Sequence, residues 1–302
     1  MKTTTKTTND PPQLIVIVGE TASGKSALAI ELALQLNGEI ICADSWTVRR
    51  EVTIGTAKPT AEQQAQVPHH LIDIVEPGAD FTAAVFKRLA NEKITAITAR
   101  GKLPILVGGT GLYIDGVLFD FNFLPAGDRQ ERLRLNECTN AELLQKIADQ
   151  GLELGDIDTG NKRRLIRLLE TNGAEQVRHP LRRNTLILGI VTDRETLMTR
   201  ITDRVDAMLA AGLEQEVDDL QRRYGWGCEA LKGVGYSQWK DYFLGQKSPA
   251  ELDRTRIKII KATLDLAKRQ RTWFKRNKSI QWLSTPVNPQ AAVALATTFL
   301  SK

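Results

Sequence analysis

The stretch that decides the fold runs Leu14-Ile-Val-Ile-Val-Gly-Glu-Thr-Ala-Ser-Gly-Lys-Ser26. Its first half, Leu14 to Val18, is a short apolar run rich in β-branched residues, which predicts a buried strand of a parallel sheet. Its second half, Gly19 to Ser26, matches the pattern G-x4-G-K-[ST]. Glycines let backbone N–H groups face a phosphate, and the helix that follows adds a favourable dipole. This half, the phosphate loop, therefore predicts a site for a small molecule that carries a diphosphate.

The side chains of the phosphate loop predict separate tasks. Lys25 is expected to reach the outer phosphates, and the hydroxyl of Ser26 to ligate Mg²⁺. Glu20 does not fit, because a carboxylate repels a phosphate unless it points to solvent. The predicted diphosphate- or nucleotide-binding residues are Gly19, Glu20, Thr21, Ala22, Ser23, Gly24, Lys25 and Ser26.

Four further segments continue the alternation of strand and helix. Ser26 to Leu36 and Phe81 to Arg100 are expected helices, and Glu39 to Ala43 and Leu103 to Val107 are expected buried strands. Short links between them predict an α/β fold, a P-loop NTPase-like doubly wound parallel sheet. Ligands of such sheets bind at the carboxyl ends of the strands.

Polar residues follow two of these strands at the predicted binding edge. Asp44 and Ser45 come after the second strand, where a carboxylate can ligate a metal, act as a general base or simply cap the next turn. Thr110 lies in the turn Gly108-Gly-Thr-Gly111 and can form a hydrogen bond at the same edge. This turn stands where an ATP-hydrolysing enzyme would have an aspartate for Mg²⁺, which lowers the expectation of an ATPase.

The second half of the chain predicts a helical excursion from the sheet. The segment from Phe123 to Asn184 is mainly helical and polar, and Thr185 to Val191 returns as a core strand. Helices at Thr196 to Gly212 and Ala250 to Arg276 then lead to a strand at Ile280 to Leu283. The predicted organisation is a flexible tail (1–12), a catalytic core (13–122 and 185–302) and a helical insertion domain (123–184).

The net charge of +5 is distributed unevenly. Residues 254–278 hold ten Lys or Arg against one acid, and residues 162–183 hold seven against two. Such clusters are typical of proteins that bind nucleic acid. Trp273 and Phe274 lie among the basic residues, which favours contact with a phosphate backbone over a merely solvated face.

Other residues narrow the range of functions. The three cysteines, Cys42, Cys138 and Cys228, lie far apart and lack the spacing of a zinc site. His69 and His70 are adjacent, so on a strand they point in opposite directions and favour a structural role. No apolar run approaches the roughly 18–20 residues of a membrane helix, and the N-terminus lacks a secretory signal. We therefore expect a cytoplasmic protein without a membrane partner.

Taken together, the motifs resemble those of the tRNA dimethylallyltransferases. They occur in the family's order and cover residues 14–283. The matching pieces are GETASGKS (19–26), ADS (43–45), IGTAKP (54–59), HHLID (69–73), LVGGTGLYI (106–114), RRLIRLLE (163–170), RVDAMLAAGLEQEV (204–217), GVGY (233–236) and AKRQRTWF (267–274).

The resemblance implies transfer of a dimethylallyl group from dimethylallyl diphosphate to N6 of adenosine 37, in tRNAs that read codons starting with U. The phosphate loop would hold the leaving diphosphate, with Lys25 and a Mg²⁺ ion at Ser26 neutralising its charge. Asp44 matches the family's catalytic aspartate and Thr110 a threonine near the reacting groups. The adenine would be flipped into a channel, and the insertion would clamp the anticodon stem-loop. A monomer is expected.

The resemblance also implies a set of RNA contacts. The predicted tRNA-binding residues are Asp44, Ser45, Trp46, Thr47, Thr110, Arg132, Arg163, Arg164, Leu165, Ile166, Arg167, Lys232, Gly233, Val234, Gly235, Tyr236, Ser237, Lys268, Arg269 and Gln270.

The sequence departs from the family pattern at five positions. Glu20 stands where the family usually has Pro, Thr47 where it has Gln, Arg49 Tyr, Thr53 Asp and Leu264 Arg. These changes leave the diphosphate and base positions intact but touch the expected adenine and RNA contacts.

Three other functions compete with tRNA prenylation. An adenylate isopentenyltransferase shares the core but acts on a free nucleotide, which needs no extended basic surface. A P-loop nucleotide kinase is disfavoured by the missing metal aspartate. A non-catalytic RNA-binding protein is disfavoured by the intact Lys25, Ser26, Asp44 and Thr110.

Overall fold

The computed structural model describes residues 10–125, 127–174 and 176–302. Its strands form one six-stranded sheet in the order β3-β2-β4-β1-β5-β6. The strands are β1 (Leu14–Gly19), β2 (Gly38–Ala43), β3 (His69–His70), β4 (Leu103–Gly108), β5 (Thr185–Val191) and β6 (Gln281–Ser284).

Twelve α-helices are assigned among these described residues. They are α1 (Lys25–Gln35), α2 (Ala61–Gln66), α3 (Ala83–Ala99), α4 (Gly111–Leu118), α5 (Arg129–Glu137), α6 (Asn140–Asp149), α7 (Lys162–Glu170), α8 (Arg194–Ala210), α9 (Leu213–Tyr224), α10 (Lys240–Leu244), α11 (Pro249–Phe274) and α12 (Pro289–Leu300). Two short 3-10 helices, Glu229–Lys232 and Ser237–Trp239, precede α10.

Every strand pair in the sheet is parallel, and β1 lies between β4 and β5. All six residues of β1 and of β4 are buried, as expected for strands covered on both faces. Because the strands are parallel, the carboxyl ends of β1, β2 and β4 lie at the same edge of the sheet. The predicted fold class is confirmed.

Helices cover both faces of this sheet. On one face, α1 and α12 pack in a core with Ile15, Ile17 and Leu188. On the other, α3 contacts β2 and β4, and α11 contacts β1. Helix α11 begins with a capping box, in which the Ser248 hydroxyl accepts from the Glu251 N–H and Pro249 occupies the first turn. This fixes the start of the helix that runs past the binding edge.

The chain divides into two compact units. Unit 1 consists of the described residues up to Leu118 and from Arg182 onward, and unit 2 is Phe119–Leu181. The predicted insertion, 123–184, thus begins four residues later and ends three residues later than unit 2. Unit 2 has its own core, formed by Leu135, Leu143, Ile147, Leu165 and Ile166 from α5, α6 and α7.

Part of the predicted flexible tail is bound to unit 1. Arg183 forms an ion pair with Asp10 at 3.3 Å, and the Asn184 side chain donates to the carbonyl of Pro11 at 3.0 Å. Residues 1–9 of the predicted tail lie outside the described residues. Among the helices that the structure describes, none combines the length and hydropathy that a bilayer crossing requires.

Candidate functional site

A cavity of about 250 Å³ opens at the carboxyl edge of the sheet in unit 1. Its walls come from the phosphate loop, the turn after β2, residues 55–57 with Pro59, the turn after β4, residues 234–235, and helices α8 and α11. The edge that the sequence predicted for ligand binding thus carries a concave site that is open to solvent on one side.

The phosphate loop enters α1 through Gly24, whose φ of 96° lies in the left-handed region that favours glycine. Lys25 begins the helix, and its Nζ donates to the carbonyl oxygen of Glu20 at 2.5 Å, which closes the loop on itself. Lys25 and Ser26 both line the cavity. The N-terminus of α1 therefore points its unpaired N–H groups at the same space.

Cations surround this end of the cavity. Burial, and to a lesser extent the nearby Arg204 guanidinium, lower the pKa of Lys25 to about 8, while Asp44 and Glu20 oppose the shift. Arg204 donates from Nη1 to the Thr21 hydroxyl at 3.1 Å and lines the cavity. Lys25 and Arg204 repel each other across one pocket, and an anionic ligand bound between them would relieve that repulsion.

Arg204 was not assigned a role from the sequence. Its signal was present in α8, where Leu197, Ile201 and Val205 form the buried stripe. Arg204 follows Ile201 by three positions and so lies on that stripe, where a cation without function is costly. The motif it belongs to was recognised, but the direction of its side chain was not.

The structure shows how the Glu20 carboxylate, which did not fit the phosphate loop from sequence, is accommodated without pointing to solvent; the place of Glu20 in the diphosphate site stays a prediction. Glu20 is 2% exposed, and its Oε1 pairs with Nη2 of Arg271 at 2.6 Å. Arg271 also donates to the carbonyl of Thr192 at 2.7 Å. The carboxylate therefore points neither to solvent nor into the cavity, and its charge is compensated by a cation from α11.

Asp44 lines the cavity and divides its carboxylate between two environments. Oδ1 accepts from the backbone N–H groups of Trp46 at 2.8 Å and Thr47 at 3.2 Å, which is the turn-capping arrangement. Within the part of the chain that the structure describes, Oδ2 accepts no hydrogen bond from protein. Burial raises the pKa of the neighbouring Cys42 thiol to about 12, so this thiol stays protonated at neutral pH.

Thr110 supports that turn from the next strand. Its Oγ1 accepts from the N–H of Ser45 at 3.1 Å, and its own N–H donates to the carbonyl of Ala43 at 3.3 Å. Gly108 makes this approach possible, because a Cβ there would lie 2.0 Å from the Ala43 carbonyl oxygen. Thr110 and Ser45 thus hold the ends of β2 and β4 together.

Helix α11 closes the cavity through Gln270. Its Oε1 accepts from the N–H of Thr21 at 2.8 Å, and its Nε2 donates to the carbonyl of Gly109 at 3.1 Å. Gln270 therefore joins the phosphate loop to the turn after β4, whereas the neighbouring Lys268 and Arg269 are exposed. RNA contact by these three residues stays a prediction.

The aromatic residues of α11 are used inside unit 1. Phe274 is 2% exposed, and Trp273 donates from Nε1 to Asp115 Oδ2 at 3.0 Å. Both rings are thus held within unit 1, and the predicted contact of the basic helix with a phosphate backbone stays a prediction.

Residues 232–237 contribute both wall and support. Val234 and Gly235 line the cavity, and Lys232 and Ser237 are exposed. Gly233 and Tyr236 are buried, and a Cβ at Gly233 would lie 3.0 Å from the Trp46 ring. The expectation that the Tyr236 side chain contacts RNA is corrected, because it is fully buried.

In unit 2, the predicted RNA-binding residues divide into three groups. Arg163 and Arg164 are exposed on α7. Arg132 and Arg167 lie 3.2 Å and 3.3 Å from the carboxylate of Glu170, and Arg167 also donates to the carbonyls of Leu124 and Pro125. Leu165 and Ile166 are core residues at 0% and 1% exposure, which corrects the expected contact of their side chains with RNA.

Two of the departures from the family pattern, Arg49 and Leu264, make contacts within unit 1. Arg49 is buried and donates from Nη1 to the carbonyls of Pro77 at 3.0 Å and Ala79 at 2.7 Å. Leu264 packs against the apolar cluster of α8, α9 and α11. Thr47 is 7% exposed, lines the cavity, and its Oγ1 has no hydrogen-bond partner among the described residues.

The adjacent histidines make unlike contacts. His70 Nε2 lies 2.6 Å from Glu39 Oε2, and Arg100 pairs with the same oxygen at 2.6 Å. His69 Nδ1 lies 2.8 Å from the carbonyl of Val67, and the residue lines the cavity. Within the described residues no cluster of three or more His, Cys, Asp or Glu could by itself hold a metal ion.

Comparison with known proteins identifies relatives over nearly the whole length. The tRNA dimethylallyltransferase 1 of Trichlorobacter lovleyi is 44% identical, covering 96% of this chain and 99% of that protein. The tRNA dimethylallyltransferase of Desulforudis audaxviator is 41% identical, covering 90% and 92%.

Solved structures give the same result. The tRNA isopentenylpyrophosphate transferase of Bacillus halodurans superposes with a TM-score of 0.74 at 36% identity, covering 96% of each chain. A eukaryotic dimethylallyltransferase, studied acting on tRNA, gives a TM-score of 0.79 at 26% identity and covers 96% of this chain and 80% of that one. The family model for IPP transferase matches residues 47–277. A match of that extent, together with these identities, shows that the chain belongs to the IPP transferase family.

Proposed function

We propose that this chain transfers a dimethylallyl group from dimethylallyl diphosphate to N6 of adenosine 37 in tRNA. Its relatives at 37–44% identity are named tRNA dimethylallyltransferases, which supports tRNA prenylation. The prenyl donor and the mechanism are supported by one observation, that Lys25, Arg204 and Asp44 line the same cavity. It pairs a cationic end, suited to a leaving diphosphate, with a carboxylate that can take a proton.

The reaction needs no redox partner. The N6 amine attacks the allylic C1 of the donor, the C1–O bond breaks with its electron pair going to the diphosphate, and the N6–C1 bond forms. The proton of N6 passes to the carboxylate of Asp44, for which we propose Oδ2 as the acceptor. Lys25, Arg204 and the N–H groups at the start of α1 stabilise the charge that develops on the diphosphate.

The oxygen ligands available beside the phosphate loop also fit a magnesium ion. Ser26 supplies one hydroxyl, and diphosphate oxygens and water can complete the coordination, which is how Mg²⁺ is usually held beside phosphates. Bound there, Mg²⁺ would act as a Lewis acid on the leaving group. Because that coordination relies on substrate oxygens, it needs no cluster of protein carboxylates.

Each unit offers a basic surface for the RNA. We propose Lys268 and Arg269 of α11 in unit 1 and Arg163 and Arg164 of α7 in unit 2 as contacts to the phosphate backbone, since all four are exposed. A monomer acting in the cytoplasm, on tRNAs that read codons starting with U, completes the proposal.

The test is incubation with labelled dimethylallyl diphosphate and Mg²⁺, with either an anticodon stem-loop that carries A36-A37-A38 or free AMP. We expect label only in the stem-loop, at A37. A matched stem-loop with G37 is the control and should stay unlabelled, because guanine lacks the N6 amine.

The alternatives give different products. Label in AMP alone would identify an adenylate isopentenyltransferase and contradict the tRNA substrate. Consumption of ATP without prenyl transfer would identify a nucleotide kinase. RNA binding without either reaction would contradict catalysis.

A further inference from the structure

Three consecutive N–H groups wrap around one carboxylate beside the cavity. Glu216, in the first turn of α9, accepts at Oε2 from the N–H of Thr53 at 2.9 Å and of Ile54 at 2.8 Å. Its Oε1 accepts from the N–H of Gly55 at 3.1 Å. A row of N–H groups in this arrangement is an anion-binding concavity, and here the chain fills it with its own side chain.

The same carboxylate holds a second segment. The hydroxyl of Tyr236 donates to Oε1 of Glu216 at 2.6 Å. The ring of Tyr236 is fully buried and lies so close to Gly55 that a Cβ there would be 2.6 Å from it. Glu216 therefore fastens residues 53–55 to residues 234–236, which are about 180 positions apart in the chain.

Both fastened segments form wall of the cavity. Gly55, Thr56 and Ala57 line it from one segment, and Val234 and Gly235 from the other, whereas Glu216 itself does not. Gly233, just before them, packs under Trp46, whose N–H donates to Asp44. The four hydrogen bonds of Glu216 thus support the side of the cavity that adjoins Asp44, and none of them reaches the phosphate loop.

We propose that Glu216 is a positioning residue for the acceptor side of the site. It fixes the two segments against which an adenine must lie when its amine faces Asp44, and it leaves the donor side unaffected. The inference rests on the proposed function, which supplies the adenine-bearing acceptor. It also assigns the N–H groups of 53–55 to the protein itself, so this loop is not a second phosphate site.

The experiment compares Glu216→Gln with Glu214→Gln. An amide keeps the size of Glu216 but turns an NH₂ group toward backbone donors, which leaves at least one N–H unpaired. Glu214 is the matched control, because it lies in the same helical turn as Glu216 and likewise accepts from a tyrosine hydroxyl, that of Tyr242, at 2.8 Å. Neither Glu214 nor Tyr242 lines the cavity. The measurements are amide hydrogen exchange, steady-state kinetics with the stem-loop, pyrophosphate affinity and thermal unfolding.

For Glu216→Gln we expect faster exchange at Thr53, Ile54 and Gly55. We also expect kcat/KM for the stem-loop to fall by about tenfold or more, mainly because KM rises. The cause is the loss of charge-assisted hydrogen bonds that hold the two segments in place. Pyrophosphate affinity should stay within about twofold, because the donor side is untouched. Glu214→Gln should leave exchange at 53–55 and the KM for the stem-loop unchanged.

Two results would overturn the positioning role: unchanged exchange at 53–55 in Glu216→Gln, or equal loss of stem-loop and pyrophosphate binding in step with a lower Tm. Tyr236→Phe removes one of the four bonds and should shift the KM for the stem-loop in the same direction by less; it carries the test if Glu216→Gln does not fold. A wild-type chain that transfers no prenyl group would instead contradict the proposed function, while the exchange data still decide the role of Glu216.

Discussion

Asp44 combines a structural and a chemical task in one side chain. Oδ1 is committed to the N–H groups of Trp46 and Thr47, so the carboxylate cannot rotate freely. Oδ2 is left for the ligand side. Two of the interpretations that the sequence left open, a turn cap and a general base, are therefore compatible, because each uses a different oxygen.

This division makes Asp44→Asn a sharp test. The amide oxygen can still accept from Trp46 and Thr47, but the group can no longer take a proton. We expect prenyl transfer to fall by at least about 10²-fold with stem-loop affinity retained. Single-turnover assays and RNA binding measure both quantities. Asp44→Ala, which loses the cap as well, is the comparison; near-normal turnover in Asp44→Asn would contradict the base role.

Lys25 gives a second prediction, on stability. Its pKa of about 8 lies below the ordinary value of 10.5, so the folded state holds the charged form at a cost. This cost is fully present below pH 8 and is relieved as the pH rises from 8 to 10.5. Lys25→Met should therefore raise the free energy of unfolding at pH 7 by roughly 1–3 kcal/mol.

Urea unfolding from pH 6.5 to 10.5 measures that difference, which should shrink as the pH rises. Pyrophosphate affinity, measured in parallel, should be lost in Lys25→Met at every pH. A stability difference that does not depend on pH would contradict the burial of a charged ammonium. Wild-type affinity for pyrophosphate should weaken above pH 8, because Lys25 then loses its proton.

At the scale of elements, the strands were the most predictable part. β1, β2, β4 and β5 match their predicted bounds within one residue at each end, since buried parallel strands are uninterrupted apolar runs. β3 was not predicted, because two residues leave no periodicity to read. α12 was missed as well; it packs through Ala292 and Ala296, and such small residues give a weak amphipathic contrast.

From the residue pattern alone, the site was predictable where its residues follow a strand in sequence. Lys25, Ser26 and Asp44 line the cavity for this reason. The cavity residues Val234, Gly235 and Gln270 were predicted only through the resemblance to the family. Arg204 lines the cavity from α8, and Glu216 of α9 holds segments that line it. Their roles depend on the direction in which each side chain points in the folded protein. The partner of Glu20 lies 251 positions away, and no local pattern contains that information.

The Glu20–Arg271 pair predicts coupling between the phosphate loop and α11. Arg271→Ala would leave a carboxylate that is 2% exposed without its cation, and we expect a loss of about 3 kcal/mol in the free energy of unfolding. Glu20→Gln/Arg271→Ala should recover part of this loss, because the unpaired charge is gone. Urea unfolding of both single variants and the double variant gives the coupling energy; additive effects would contradict the pair.

At the scale of the whole molecule, the two positions of unit 1 between which unit 2 is inserted lie side by side. The N–H of Arg182 donates to the carbonyl of Leu118 at 2.7 Å, so the two ends of the excursion are already adjacent. Since unit 2 has its own core and the cavity belongs to unit 1, we expect unit 1 to keep the cavity when unit 2 is deleted.

We therefore predict the behaviour of a chain in which a short Gly-Ser linker replaces 119–181. It should fold and bind pyrophosphate as the full chain does, but kcat/KM for the stem-loop should fall by about tenfold or more, because the basic surface of α7 is gone. Calorimetry and prenyl-transfer assays measure the two effects. As a control, Arg163→Ala/Arg164→Ala in the full chain should lower stem-loop affinity and reduce its salt dependence. Loss of pyrophosphate binding on deletion would contradict the independence of unit 1.

The position of β1 between β4 and β5 has a consequence for synthesis on the ribosome. β4 ends at Gly108 and β5 begins at Thr185, 77 positions later (185 minus 108). At ordinary translation rates, the edge of β1 that pairs with β5 stays unpaired for a further interval of roughly 4–15 s after β4 has been made. An unpaired apolar edge is a template for wrong pairing, so the nascent chain needs protection throughout this interval. Most of the residues made meanwhile belong to unit 2, so a longer insertion at this point would lengthen the time for which the emerging protein is exposed to aggregation.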